Sequence, residues 1–207
     1  MEKKKLINVL AIIAVILFIT SMVLVFKNFI PGLTGHATEE GYVNITVTTN
    51  AVINITSAGG VGGSKTIDFG EGTVDTGESY ALLATNNTVT QGSWTPVDGG
   101  FIVENLGNVN VSLNISSSDD AASFIGGSSP EFKFNVSNIE PDACDFSGSV
   151  TEDVYTSFTG STQKVCSVYQ NTDSHDELNI DVLLKVPSDS LTDVRSTTIT
   201  LSYESAE

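Results

Sequence analysis

The chain has 207 residues, of which 25 are acidic and nine are basic, and its formal net charge at pH 7 is −16. Only Glu2 among the acidic residues, and Lys3, Lys4, Lys5 and Lys27 among the basic ones, precede residue 28. The remainder therefore holds 24 acidic and five basic residues, a formal net charge of −19. Such a surface repels phosphate groups, which argues against nucleic acid and anionic lipid headgroups as its partners.

The first residues predict one membrane-spanning helix. The basic stub 1–5 is followed by 21 almost uncharged apolar residues, Leu6–Phe26. As a helix this segment is about 31 Å long, which matches a hydrocarbon core of about 30 Å. Lysines collect on the cytoplasmic side, so we expect the amino terminus inside and the rest of the chain outside the cell membrane.

Cleavage of this segment is the open alternative. The apolar stretch is longer than the usual core of a signal peptide, which favours a retained single-pass anchor. Gly35-His36-Ala37 nevertheless has the small-x-small pattern of a cleavage site. Residues 27–41, punctuated by Pro31 and Gly32, are predicted to link the membrane to a domain over 42–207. About 170 residues suffice for one hydrophobic core.

Strand patterns begin at Tyr42. Val43, Ile45 and Val47 alternate with polar residues, and the pattern resumes at Ile53 and Ile55. One long strand, or two strands meeting at Thr49–Asn50, explains this pattern. The same alternation predicts strands around Val109–Ile115, Phe132–Val136, Leu178–Val186 and Ile199–Tyr203. Less regular candidates are Lys65–Phe69, Ala81–Thr85, Phe101–Asn105 and Gln163–Tyr169.

The fold class follows from these short strands. Glycine-rich turns separate them, and no segment after residue 40 keeps a helical period over three turns. We therefore predict an all-β domain, an immunoglobulin-like or jelly-roll β-sandwich. The loop Gly59–Thr66 superficially resembles a phosphate-binding loop, but Ser64 stands where that motif requires glycine and a strand-like segment follows it. A hairpin loop is the better interpretation.

Cys144 and Cys166 are the two cysteines of the chain. In an oxidising compartment such a pair is most simply one disulfide. A reduced or metal-bound pair is the alternative, but zinc needs about four ligands and neither histidine has finger spacing.

Six N-x-S/T sequons predict acceptors for N-linked glycosylation in an exported domain. Most of these asparagines fall on the polar side of a predicted strand, where a glycan has room. The alternative is that they are ordinary solvent-facing polar residues. The six are Asn44, Asn54, Asn86, Asn110, Asn114 and Asn135.

Metal and catalytic residues are weakly indicated. Carboxylates on loops can bind calcium, although none has EF-hand spacing, so we predict no firm metal site and no cofactor beyond an optional structural calcium. For nucleophilic catalysis the chain offers only His36 and His175, and it has no G-x-S-x-G motif. We expect no enzyme activity. The calcium candidates are Asp119 with Asp120, Asp142 with Asp145, Glu152 with Asp153, and Asp173 with Asp176 and Glu177.

Phe101–Leu113 contains an N-x-G-N turn between two strands, and Ile67–Gly70 and Thr198–Leu201 add short β motifs. With these, the outer part resembles the camelysin and TasA-like group, which includes archaeal bundling-pilus subunits. As a whole, the chain resembles archaeal cell-surface β-sandwich proteins with a single anchor, whose function is uncharacterised. The resemblance implies a surface protein and names no ligand.

Two functions remain open. The first is a membrane-anchored, glycosylated cell-surface structural or adhesion protein, bound to the bilayer through Leu6–Phe26 and able to associate with itself or other surface proteins. The second is a secreted filament subunit. In that case cleavage near Ala37 frees the strand Tyr42–Ser57, which joins the sheet edge of a neighbouring copy. Whether Met1 is retained distinguishes the two.

Overall fold

Alternating apolar and polar residues form most of the strands. The structure, a computed structural model, describes residues 51–190 and 192–206. Its strands are β1 (Ile53–Ala58), β2 (Val61–Gly62), β3 (Tyr80–Ala84), β4 (Thr88–Thr90), β5 (Phe101–Asn105), β6 (Val111–Ser117), β7 (Glu131–Asn138), β8 (Cys144–Asp145), β9 (Thr156–Ser157), β10 (Gln163–Tyr169), β11 (Glu177–Pro187) and β12 (Ile199–Ser205). In this range the only helix is the four-residue α1 (Ala121–Phe124), capped by the Asp120 carboxylate. The all-β prediction is confirmed for these residues.

Strand β11 organises the larger of two antiparallel sheets. One of its edges pairs with β7 from Leu178 to Lys185. Its other edge pairs first with β5 and then with β3. Strands β1 and β2 extend the sheet beyond β5, β4 extends it beyond β3, and β9 extends it beyond β7. With 11 residues, β11 is about 36 Å long at about 3.3 Å per residue, so its two ends have different surroundings.

The smaller sheet has the order β12-β6-β10-β8. Strand β12 pairs with β6 from Ile199 opposite Ser117 to Ser205 opposite Val111. No other strand in the described part of the chain pairs with β12. Strand β12 is therefore an edge strand there, with one row of backbone groups outside the ladder.

The two sheets share one hydrophobic core. Phe134 and Ile180 of the larger sheet and Leu113 and Val165 of the smaller sheet are fully buried in the same cluster. Phe158 packs its ring against Phe134, with centroids 4.7 Å apart. From β5 to β12 each strand lies in the opposite sheet from the one before. Each connection therefore crosses the core, and inward residues from both sheets cover each other.

Two strand predictions need correction. Lys65–Phe69 is not a strand: Ile67 and Phe69 pack against the core, but the segment joins no ladder, and the Asp68 carboxylate instead accepts a hydrogen bond from Gly70. The polar side of β6 was expected to face solvent, yet Ser112 and Asn114 are buried. Strands β10 and β12 flank β6 on both edges, and the Ser112 hydroxyl donates to the Cys166 carbonyl at 3.2 Å.

Other strands show where sequence patterns are informative. The predicted bounds of β5 and β10 are confirmed. Strands β2, β4, β8 and β9 were not predicted, because two or three residues cannot display a period.

The amino-terminal predictions lie outside the described residues. These include the stub 1–5, the apolar segment 6–26, the linker 27–41 and the strand pattern over 42–50. Where the structure describes the chain, it contains no helix both long enough and apolar enough to cross a membrane.

Candidate functional site

The two ends of β11 carry the main concentrations of polar side chains. The "acidic end" consists of Glu104, Glu140, Asp173, Asp176 and Glu177, around the first residue of the strand. The "serine cleft" lies at its last residues and is lined by Ser79, Tyr80, Ser128, Ser129, Lys185, Ser188 and Asp189. Both are brought together by sheet pairing between distant parts of the sequence.

Backbone pairing forces the acidic end together. Glu177 is the direct cross-strand partner of Glu104, so two like charges face each other on neighbouring strands. The Asp176 backbone N–H donates to the Glu140 carboxylate at 2.8 Å. The backbone N–H groups of Ile139 and Glu140 both point at the Glu177 carbonyl, at 3.2 and 3.4 Å. The segment after β7 is thereby held against the start of β11.

The buried side chains of Tyr169 and Asn105 hold the backbone at this end of β11 in place. The Tyr169 hydroxyl lies 2.6 Å from the carbonyl oxygens of both Val103 and Asp176, and donates its proton to that pair. The Asn105 side-chain amide, 1 % exposed, donates to the carbonyls of Val109 and Gln170 at 3.1 and 3.0 Å. Burial and the surrounding carboxylates raise the pKa of Tyr169, so it stays protonated.

The carboxylates of the acidic end destabilise one another. Asp176 is only 8 % exposed. Burial, followed by the charges of Glu140 and Glu104, raises the pKa of Asp176 from 3.8 to about 6. The same causes in the same order raise the pKa of Glu177. Asp176 and Glu177 therefore bind protons more tightly than isolated carboxylates do.

The serine cleft has a volume of about 470 Å³ and carries charges of both signs. The Lys185 ammonium lies 4.9 Å from the centre of the Tyr80 ring and 3.5 Å from the Glu131 carboxylate. Lys133 contacts Glu131 at 2.5 Å, and this contact is the main reason that the pKa of Glu131 is lowered.

Asp189 closes the rim of the cleft. Its carboxylate accepts hydrogen bonds from the Ser128 hydroxyl and backbone N–H, at 2.6 and 2.8 Å. These bonds lower the pKa of Asp189. Ser129, next to them, has a positive φ of 59°, a conformation that few non-glycine residues adopt.

The predicted disulfide is present. Cys144 and Cys166 are bonded, with Cα atoms 5.6 Å apart, and both side chains are buried. Cys144 is also the cross-strand partner of Tyr169. The disulfide therefore lies beside the tyrosine that fixes the acidic end.

The sequon asparagines lie in different environments. Asn86 is exposed in the turn between β3 and β4. Asn54, Asn110 and Asn135 are half-buried, and Asn114 is buried in β6. Asn44 lies outside the described residues. The alternation of the sequence could not separate these cases, because it treats all polar positions alike.

Several of the proposed calcium residues already accept hydrogen bonds from other protein groups. Asp119 accepts from Thr197, Asp120 caps α1, Asp145 accepts from Ser147, and Glu152 accepts from the Asn138 side chain and backbone. Asp142 and Asp153 are exposed residues with positive φ. In residues 51–190 and 192–206, no group of three or more histidine, cysteine or carboxylate side chains is arranged to hold a metal ion. The calcium hypothesis gains no site in that range.

Two remaining motifs have structural positions. His175 contacts the Pro141 carbonyl through Nδ1, in the turn before β11; His36 lies outside the described residues. The predicted hairpin loop Gly59–Thr66 begins with a tight hairpin: β2 lies inside it and pairs with β1, with Ala58 opposite Val61, and Gly59 and Gly60 have φ of 58° and 74°. Two successive residues with positive φ match the right-handed twist of such a hairpin.

Sequence reasoning found Asp173, Asp176 and Glu177 but missed Glu104 and Glu140, and it missed the serine cleft entirely. Sheet register brings these residues together, and no local pattern reveals it. No protein-family model matches this chain, and no curated protein or solved structure matches it either.

Proposed function

We propose that this chain is a membrane-anchored, glycosylated structural or adhesion protein of the cell surface. Leu6–Phe26 is its single-pass anchor, residues 1–5 lie in the cytoplasm, and the domain over 42–207 lies outside. In this proposal the domain is a β-sandwich of immunoglobulin-like or jelly-roll type. The alternation of strands between two antiparallel sheets from β5 to β12 supports that assignment.

The observation that carries the proposal is the disulfide between Cys144 and Cys166. Disulfides persist in oxidising compartments and are rare in the reducing cytosol. The basic amino-terminal residues and the 21 apolar residues that follow them are typical of a segment that directs a chain to such a compartment. The excess of acidic residues suits a surface exposed to salt and to other cells.

Topology tests this proposal directly. In intact cells that express the full chain, an added protease should degrade the domain and leave a fragment beginning at Met1 in the membrane. Ile16→Arg places a charge in the middle of the anchor, costs about 3 kcal/mol of insertion free energy and should reduce membrane retention. Thr20→Ser, in the same segment, is the matched control and should change nothing. A domain that is protected until the cells are lysed contradicts the proposal.

A filament subunit is the second candidate, and edge strand β12 favours it. On the side facing away from β6, no described strand pairs with β12, and Tyr203 is 47 % exposed on it. The predicted donor strand Tyr42–Ser57 needs correction, because Ile53–Ser57 belong to β1 and pair with β5 in the domain's own sheet. The alternating residues 42–48 of a second copy still have the seven-residue length of β12. Donor-strand addition to this edge requires cleavage near Ala37.

Amino-terminal sequencing and electron microscopy of released material separate the candidates. A chain beginning at Thr38 in fibres supports the filament. A chain beginning at Met1 without fibres supports the tethered protein. Neither candidate requires catalysis, so His175→Ala should leave surface function unchanged.

A further inference from the structure

The five sequon asparagines in the described residues differ in whether the folded domain can carry a glycan on them. A glycan is bulky and hydrophilic, so it must leave the side-chain amide directly into solvent. An acceptor that is almost fully buried must displace the side chains around it before it can carry a sugar. The structure can therefore rank the sequons.

Asn114 is recessed among its neighbours, which makes it the poorest acceptor of the five. It is 6 % exposed, in a strand flanked on both edges. Its cross-strand partners are Lys164 on β10 and Ser202 on β12. Both partners are exposed, so a sugar on Asn114 must displace the neighbouring side chains on that face of the sheet.

Three other sequons are hindered. The Asn110 side chain donates to Gln170 at 2.9 Å and accepts from the Asn171 backbone at 3.1 Å, so both of its polar atoms are engaged. Asn135 of β7 faces Asp181 of β11, and its Oδ1 atom is buried. Asn54 is half-buried on β1. A glycan on any of these must compete with neighbouring strands for space.

Asn86 is the exposed acceptor among these five, although its backbone forms an isolated bridge with Asp98. It is exposed in the three-residue turn between Ala84 and Thr88, which are paired on β3 and β4. The backbone around it is held firmly: the Asn87 N–H donates to Val97 at 2.9 Å, and the Gly99 N–H donates to Thr85 at 2.6 Å. The turn therefore presents the Asn86 side chain on a fixed platform, with no described side chain bonded to it.

We propose that Asn86 is the main N-glycosylation site among the described residues. This inference rests on the proposed function, because the modification requires a chain delivered outside the cytoplasm. In the transfer, Nδ2 of Asn86 forms a bond to the anomeric carbon of a polyisoprenyl-phosphate-linked sugar, and the bond from that carbon to the phosphate oxygen breaks. Nδ2 loses one proton to a base of the transferase, and the lipid phosphate leaves with the electron pair.

Site-resolved mass spectrometry of the full chain, expressed in a host that N-glycosylates exported proteins, tests this inference. The Asn86 peptide should carry the glycan at the highest occupancy of the five, and the Asn114 peptide should be unmodified. Asn86→Gln should remove that glycan, and Thr88→Ala should do so while keeping the asparagine. Asn87→Gly changes only the middle residue of the sequon, at a φ of 64° that glycine accepts, and is the matched control that should keep the glycan.

The outcomes separate this inference from the proposed function. Protease accessibility in intact cells first establishes where the domain lies. If it lies outside and Asn86 is unmodified, or Asn114 is occupied more highly, the inference is overturned while the proposed topology stands. If it stays inside, the proposed topology fails. In that case the glycan occupancies of Asn86 and Asn114 are measured on the same full chain with an added cleavable export signal, and the same results support or overturn the inference.

Discussion

The acidic end and the serine cleft lie on the same strand, yet they are built differently. At the acidic end, buried side chains bond to backbone carbonyls, and like charges face one another. At the serine cleft, opposite charges pair near the surface and exposed serines form the rim. Burial makes polar interactions strong at the first region, while solvent screens them at the second. The same kinds of residue should therefore matter unequally at the two ends.

The largest effect should come from the disulfide beside the acidic end. The double variant Cys144→Ala, Cys166→Ala removes a link across a sequence separation of 22 residues. We expect the free energy of unfolding to fall by about 3 kcal/mol, because the unfolded chain gains entropy. Chemical denaturation under oxidising conditions measures it, with the reduced native chain as a control. An unchanged midpoint would show that the acidic end does not depend on this link.

Tyr169→Phe should rank second. It removes the hydroxyl that satisfies two buried carbonyls, and we expect a loss of about 2 kcal/mol in the free energy of unfolding. Tyr80→Phe at the serine cleft is the matched control and should change stability by less than about 0.5 kcal/mol. Thermal denaturation of both variants compares the two ends directly. Equal losses of stability in the two variants would contradict the predicted difference between the acidic end and the serine cleft.

The acidic end should also make stability depend on pH. The pKa of Asp176 is raised to about 6 in the folded chain, above its ordinary value of 3.8. Protonation therefore stabilises the fold: the contribution is complete below about pH 4 and is lost as the pH rises through about 6. The opposite shifts of Asp120, Asp145, Asp189 and Glu131 act only at lower pH. Stability should be highest between about pH 4 and 5.

Asp176→Asn tests the source of that dependence. It should raise the free energy of unfolding by about 1–2 kcal/mol at pH 7.5 and change it little at pH 4.5. Asp153→Asn, which removes an exposed charge elsewhere, controls for net charge and should leave the pH profile unchanged. The melting temperatures of both variants and of the native chain are measured from pH 4.5 to 7.5. A profile that Asp176→Asn does not flatten assigns the dependence to other groups.

The smallest effect should be at the serine cleft. Lys185→Met removes the contacts with Tyr80 and Glu131 but keeps the length of the side chain. Surface ion pairs are worth little, and Glu131 keeps its contact with Lys133. We expect a change below about 0.5 kcal/mol by chemical denaturation. A loss above 2 kcal/mol in the free energy of unfolding would show that the serine cleft contributes as much to stability as the acidic end.

Local periodicity explains which elements could be predicted. Strands β7 and β11 alternate over eight and eleven residues, long enough to identify both the strand and its buried face. Lys65–Phe69 shows the limit, because two apolar residues at alternate positions can pack against a core without entering a ladder. Asn114 shows another limit, since its position on the polar side of β6 predicted exposure, whereas its side chain is 6 % exposed between cross-strand neighbours on β10 and β12.

By itself, the sequence determined the all-β class, the main strands and the cysteine pair, because each follows from residue types at short spacing or from simple elimination. Tertiary structure alone decided that Glu104 faces Glu177 and that Tyr80 contacts Lys185. It also decided that the Asn86 side chain is exposed while that of Asn114 is buried. Those facts depend on strand order and register. Register comes from the whole core packing at once, and no local run of residues encodes it.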